Sequence, residues 1–256
     1  MKCSKITKGV NPLRKITFIA ALLSLLPRYA LAMHVMEGFL PFKWCLLWYS
    51  IYIPFLMAGL IYIKKNIAEE PSKKILLGFA GAFVFALSAL KLPSVAGSSS
   101  HPTGIGLGAI LLGPLPMAVI GGIVLLFQAL LLAHGGITTL GANAFSMAVA
   151  GSFAAYGLYK VAGRVGLSKS ASVFLGAASG DLMTYIITSL QLALAFPASR
   201  GGVAASFAGF SGIFAVTQLP LAIGEGILTV IVLNLLEIHA GVVVGRLVKG
   251  ASNDEG

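Results

Sequence analysis

Charge is scarce in this chain: 10% of its 256 side chains are Asp, Glu, Lys or Arg, and only 8 of those are acidic. A soluble domain carries about 25% charged residues. Cysteine is scarcer still, with 2 residues. Cys3 sits near the amino terminus and Cys45 stands alone, which excludes a disulfide framework and a thiolate metal cluster. Enzyme signatures are missing as well: there is no H-E-x-x-H, G-x-S-x-G or Walker motif, and the stretch Gly163 to Ser170 has the wrong spacing for the last. Ser88-Ala89-Leu90-Lys91 fits S-x-x-K, but no second element of that machinery accompanies it. The chain reads as non-catalytic, with no prosthetic group and no means of hydrolysing ATP itself.

What fills the sequence is apolar: 57% hydrophobic residues and 31 glycines, with a mean hydropathy of +0.94. Uninterrupted apolar stretches of about 18 to 25 residues recur, each enough to span about 30 Å of hydrocarbon. The expected class is an all-α polytopic membrane protein surrounded by lipid. Disorder and a nucleic-acid-binding domain are excluded, although a pI of about 9.8 invites the latter.

The basic charge has another explanation. Six of the 18 basic residues (Lys2, Lys5, Lys8, Arg14, Lys15 and Arg28) and none of the acidic ones fall in residues 1–32. A basic start, an apolar core from Ile16 to Leu26 and the A-x-A site Ala30-Leu31-Ala32 make this a signal peptide. The competing reading, a retained first helix, suffers from the shortness of that core and its end at Pro27-Arg28. Cleavage leaves Met33 first and 12 basic side chains against 8 acidic ones. It also exposes a new α-amine on the outer side of the membrane.

From an external Met33, apolar tracts and basic loops set the path. Phe42 to Ile63 runs inward to Lys64-Lys65, and Ile75 to Leu90 returns outward, as the positive-inside rule requires. The turn-rich stretch Lys91 to Gly104 follows. Ile105 to Gly113 reads as a half-length inward helix, broken at Pro114-Leu115-Pro116 before Met117 to Ala133 runs back out. Ala142 to Ala162 goes in to Arg164 and Lys169, and Ala171 to Phe196 goes out. A tract from Phe207 to Arg246 is too long for one perpendicular span, so Pro220 or Gly224-Glu225-Gly226 is expected to split it. About seven transmembrane helices over residues 33–250 put the carboxyl terminus in the cytoplasm, with a disordered tail at 251–256. The pairs Gly176/Gly180 and Gly241/Gly245 suit close helix packing.

Four features carry chemistry. At the mature amino terminus, the α-amine of Met33, the amide nitrogen of His34 and its imidazole are able to chelate one metal, favouring late divalent ions in planar nitrogen fields. His101, on the same side, supplies a fourth nitrogen. His134, next to Gly135-Gly136, either lines that site or merely caps a helix end. Glu37, Asp181 and Glu225 are acids embedded in apolar sequence, where charge is costly and faces a pathway or partner. Asp181 and Glu225 have pairing with Arg164 or Lys169 as an alternative.

The stretches Met33 to Pro41, Ser98-Ser99-Ser100-His101-Pro102-Thr103-Gly104, and His134-Gly135-Gly136 through Gly141-Ala142-Asn143 to Met147 together resemble the CbiM family across the mature chain. Its members are substrate-capture membrane components of energy-coupling factor (ECF) cobalt transporters. The resemblance implies a seven-helix fold and a metal site on Met33, His34 and His101, with Glu37, Ser100, His134 and Asn143 as pocket or supporting residues. It implies Co2+ as cargo for cobalamin synthesis and three partners: a small membrane subunit (CbiN), a transmembrane coupling subunit (CbiQ) and an ATPase (CbiO). The expected location is the plasma membrane of a bacterium or archaeon. Nickel-specific relatives tend to open with a Pro-Asp pair where this chain has Met36-Glu37, which favours cobalt over Ni2+. Capture is expected to weaken as pH falls through the range where histidine and the α-amine protonate. The rival classes are a passive divalent-cation channel, which needs rings of acids or carbonyls along a pore, and an intramembrane metalloenzyme, for which Glu37 is the sole nearby base.

Overall fold

The computed structural model describes residues 34–66, 70–93 and 99–253. The signal peptide at 1–32 and Met33 lie outside those residues. Eight α-helices follow in chain order: α1 (Phe42–Asn66), α2 (Pro71–Ser88), α3 (Ile105–Leu112), α4 (Pro114–Leu132), α5 (Leu140–Asn143), α6 (Ser152–Arg164), α7 (Lys169–Ala195) and α8 (Gly202–Asn253). A π-helical stretch, Ala144–Gly151, joins α5 to α6, so the chain is helical without interruption from Leu140 to Arg164. The described strands are two residues each, β1 (Leu92–Pro93) paired antiparallel with β2 (Ser99–Ser100).

Local chemistry marks the helix ends. Pro71 and Pro114 open α2 and α4, where the missing N–H costs nothing. Lys64 and Lys65 occupy the last turn of α1, facing the negative end of its dipole. The Ser168 hydroxyl accepts from Ala171 N at the start of α7, satisfying a donor that the first turn leaves open. At Gly113 the backbone turns to φ 87°, a left-handed conformation that a side chain resists. This separates the half-length α3 from α4 where the sequence places the break.

All eight residues of α3 are buried, and α2, α4, α6, α7 and α8 pack around it. The approach is close: a Cβ on Gly106 would lie 2.6 Å from Ala177 Cα, and one on Gly180 would lie 2.9 Å from Ala155 Cβ. Gly176 likewise faces Ala155 O at 2.9 Å from an added Cβ, so this small-residue pair does seat α7 against α6. Gly241 and Gly245 lie beyond the described side chains. The outward faces are apolar, with Leu46, Ile53 and Met57 on α1 and Leu219, Ile223, Ile227, Ile231 and Leu235 on α8 exposed. Four described stretches are long and apolar enough to cross a membrane: Phe42–Asn66, Pro114–Leu132, Lys169–Ala195 and Gly202–His239. Lipid rather than water is the solvent such faces suit.

One expectation is corrected here. The final apolar tract is not split, because α8 passes through Pro220 as one helix. Proline removes one backbone hydrogen bond, a loss that packed apolar helices tolerate, and α1 contains Pro54 in the same way. The helix also runs three residues into the expected tail, to Asn253.

Candidate metal centre

The segment before α1 folds back over the ends of the helices. Val35 and Leu40 are buried in a cluster with Trp48, Ala142, Tyr185 and Phe214, and burying a side chain of that size contributes about 1.5–3 kcal/mol. The backbone of Val35 is fastened at both polar groups. Its N–H donates to Asn143 Oδ1 at 2.8 Å, and its carbonyl accepts from Asn143 Nδ2 at 3.0 Å and Thr139 Oγ1 at 2.6 Å. Glu37 N donates to Gly135 O at 3.3 Å, and the Glu37 carboxylate accepts from Thr138 N at 3.0 Å. No side chain fits at Gly136, where a Cβ would lie 2.5 Å from Glu37 Cα. The amino-terminal segment is thus a strap locked onto the loop between α4 and α5.

The strap delivers His34 to two other histidines. His101 enters from the loop after β2, and its Nδ1 donates to Pro102 O at 2.9 Å, which leaves Nε2 with a free lone pair. That Nε2 faces His34 Nδ1 at 3.0 Å and His134 Nε2 at 3.0 Å. His34 Nε2 is buried without a partner. The three rings each offer one nitrogen within 4.8 Å of the others. One lone pair serves two donors poorly, whereas one cation satisfies three convergent nitrogens. Two nitrogens held about 2.0–2.1 Å from an ion at a right angle lie about 2.9 Å apart, close to the separations found.

His134 does both things that its sequence context allowed. Its N–H donates to Gln128 O at 3.1 Å, closing α4, while its ring joins the histidines. Ala133 turns the chain there at φ 46°, a left-handed conformation that costs an L-residue about 1–2 kcal/mol. Gly135 continues the turn at φ 77°.

Burial sets the electrostatics. Desolvation first, then the neighbouring His134 and His101, hold His34 well below the usual histidine range. Desolvation and then His134 lower His101 to about 3, and desolvation with Lys91 lowers His134 to about 4. All three imidazoles are therefore neutral at physiological pH, the form that ligates. Burial thus moves the acid titration of the metal-free rings below the ordinary histidine range.

The other expected residues fall in different places. Asn143 reaches the strap but not the imidazoles. Ser100 turns away from the cluster, its hydroxyl 2.8 Å from Thr217 Oγ1 on α8. Glu37 is exposed rather than embedded, as the outer anchor of the strap. Asp181 and Glu225 are fully buried as expected, but Lys169 pairs with Glu237 instead of either, and Glu225 accepts from Thr103. Thr139, on the strap clamp, was not singled out from sequence; its place four residues before Asn143, on the same helical face, is the signal that would have found it.

Comparison with known proteins agrees with this architecture. A family model described as the cobalt uptake substrate-specific transmembrane region matches residues 34–240. The cobalt transport protein CbiM of Moorella thermoacetica is 62% identical over 219 residues, covering 86% of this chain and 85% of that one. Its namesake from Acetoanaerobium sticklandii is 63% identical over 218 residues, covering 85% and 90%. Among solved structures, a truncated transition metal transporter superposes with a TM-score of 0.70 at 27% identity, covering 80% of this chain and 99% of that one. A second transition metal transporter gives 0.71 at 25%, covering 87% and 100%.

Proposed function

Because the chain belongs to the CbiM family, we propose that it is the ion-capturing membrane subunit of an ATP-driven ECF importer for Co2+, supplying cobalamin synthesis. The observation that carries this reading is the approach of His101 Nε2 to His34 Nδ1 at 3.0 Å. Nδ1 is the imidazole nitrogen that closes a chelate ring with the amide nitrogen of the same residue. With Met33 as the first residue of the mature chain, its α-amine, the His34 amide, His34 Nδ1 and His101 Nε2 make four nitrogens around one ion, and His134 stands against the last of them.

Capture begins with the strap holding His34 in place, so that little ordering remains when Co2+ exchanges its water for nitrogen. The ion brings the convergent nitrogen lone pairs into a favourable arrangement. Release needs energy from elsewhere. CbiQ-like and CbiO-like partners supply it by moving this subunit until the site opens inward, with a CbiN-like subunit completing the complex. About seven crossings, with the mature amino terminus outside, put the histidines on the outer side. Since the buried imidazoles are neutral, the pH dependence of capture rests on the α-amine, whose ordinary pKa is about 7.7–8.0, and on the amide proton that the metal displaces.

Mass spectrometry of the mature amino terminus, paired with Co2+ and Ni2+ titration of the mature chain and of a form with one extra residue before Met33, tests the proposal. A start at Met33 and loss of Co2+ binding on extension are expected. An uncleaved start, or equal binding by the extended form, rejects the amine and amide as ligands.

A further inference from the structure

The loop that carries His101 connects α2 to α3, yet its side-chain contacts on either side of the histidine go to α7 and α8. Ser100 Oγ lies 2.8 Å from Thr217 Oγ1 on α8, and the His101 carbonyl accepts from the Tyr185 hydroxyl of α7 at 3.3 Å. Thr103 is held hardest. Its N–H donates to Glu225 Oε2 on α8 at 2.5 Å, and its hydroxyl donates to Glu225 Oε1 at 2.9 Å. The same hydroxyl accepts from Ile105 N, at the start of α3, at 3.4 Å. Gly104 turns the chain at φ 69°, and a Cβ there would lie 3.1 Å from Val84 Cα, so the backbone is also pressed against α2. Only Pro102 separates Thr103 from His101, and its fixed φ passes a displacement of one residue on to the other.

Glu225 and Asp181 on α7 are both fully buried. Neither Asp181 oxygen accepts from any donor among the described residues; what faces it is the Glu225 carboxyl and the Thr103 backbone. Two ionised carboxylates do not stand side by side in apolar surroundings, whereas one proton between them removes a charge and gives Asp181 a bond. The remaining charge belongs on Glu225, because the donors are there: the N–H and hydroxyl of Thr103, with the Gly104 backbone beside them. The first turn of α3 follows directly, with the positive end of its dipole toward the carboxylate. Charge-assisted bonds of this kind are about twice as strong as neutral ones, which suits Glu225 to hold a loop still. The three imidazoles converge without either acid.

We propose that Glu225 and Asp181 are positioning residues for His101: Asp181 keeps a proton and donates it to Glu225, and the anchored Glu225 carboxylate fixes the loop through Thr103. That role rests on the capture reading above and concerns its fourth nitrogen. Asn143 aims His34 from one side of the ion; the acid pair aims His101 from the other. The buried charge is retained because it sets a direction, and the ligand loop is thereby built onto the α7–α8 pair.

The test is titration of the full processed chain in detergent with Co2+ alone, followed by calorimetry and X-ray absorption. E225Q sets an amide NH2 against the Thr103 donors and should weaken Co2+ binding by about 10- to 100-fold, the usual cost of losing a group that orients a ligand. At saturation its metal shell should be one imidazole short, as in H101A. D181N still donates to Glu225 through Nδ2 and should bind within about twofold of wild type, whereas D181A should bind about tenfold more weakly. T103V leaves both acids in place and should cost about tenfold, with T103S restoring affinity to within about twofold; this pair decides the matter where E225Q fails to fold. Adding E225Q to H101A should cost nothing further, since a residue acting only through His101 has nothing left to act on. An equal loss in the H101A background would make Glu225 merely structural, and D181N as weak as D181A would reject the shared proton. E225Q and T103V within about twofold of wild type, with H101A still losing the ion, would overturn the positioning role and leave the capture site standing. H101A binding as wild type does would remove both.

Discussion

Asn143 holds Val35 by both ends of its amide, accepting from the Val35 N–H at 2.8 Å and donating to the Val35 carbonyl at 3.0 Å across 108 positions of sequence. This pair does for the strap what a neighbouring strand does in a sheet. It fixes the backbone next to His34, and hence the direction in which that imidazole points.

Replacing Asn143 with Ala removes no nitrogen from the histidine cluster. It should nonetheless weaken Co2+ binding by about 10- to 100-fold, the usual cost of losing a group that orients a ligand. Asn143→Asp keeps the acceptor but sets a carboxylate against the Val35 carbonyl, and should be no better than Ala. Calorimetric affinities within twofold of wild type would mean that the strap is held by Thr139 and its apolar contacts alone.

His101 occupies the middle of the cluster, so His101→Ala should abolish high-affinity capture. His134→Ala leaves the proposed planar set intact and should cost about 1–3 kcal/mol in affinity, through a lost buried contact. Titrating both variants side by side ranks them, and equal losses would promote His134 to a ligand of the same standing.

Acid should destabilise the metal-free protein. The histidines titrate at about 6.5 when unfolded, but His101 and His134 are lowered to about 3 and about 4 in the folded chain, and His34 also lies well below its usual range. Between those values the unfolded chain binds more protons, so stability rises with pH. The contribution of the buried rings is fully present above about pH 6.5 and is lost progressively as pH falls toward 4 and then 3. Thermal unfolding from pH 7.5 to 4.5, read with hydrogen exchange at Val35 and Glu37, checks the sign. Stability that holds or increases on acidification would contradict neutral buried imidazoles.

Gly136→Ala places a methyl group 2.5 Å from Glu37 Cα and 2.7 Å from Glu37 N, against backbone that has no freedom to rotate aside. The expected cost is about 1–3 kcal/mol, with faster hydrogen exchange in the strap. Gly78→Ala is the control: nothing lies within 4 Å of its Cβ, and a helical Gly→Ala change should be neutral or stabilising by up to about 1 kcal/mol.

Lys91 donates to Leu132 O at 3.1 Å at the end of α4, and its charge acts on all three imidazoles. Lys91→Gln should tighten Co2+ binding by about two- to tenfold at low salt, and the gain should shrink at high ionic strength. A gain independent of salt would assign the effect to the helix end instead.

Features that depend on local composition were legible before any coordinates. The break at Gly113-Pro114 follows from a residue that adopts φ 87° beside one that opens a helix. The meeting of His34 with the His101 loop, expected from the sequence, is found with the two rings 3.0 Å apart at Nδ1 and Nε2. Continuity of α8 through Pro220 was not legible, because a single proline in apolar sequence marks a kink, a break or neither according to tertiary packing. The direction of the Ser100 side chain was equally hidden, since a loop of small residues has no periodicity to say which way each one points. Glu37 looked embedded because its neighbours are apolar, yet the strap turns it outward.

The tight seat of α3 bears on how the protein moves. With Gly106 pressed so closely on Ala177 that no side chain fits between them, α3 has no clearance to slide along α7, and the two travel as a single block. The same closeness holds α3 to α4, where a Cβ on Gly108 would run into Met117 Sδ. α3, α4 and α7 therefore resist sliding past one another, and the loops that carry the histidines ride on a core with no free plane of slip.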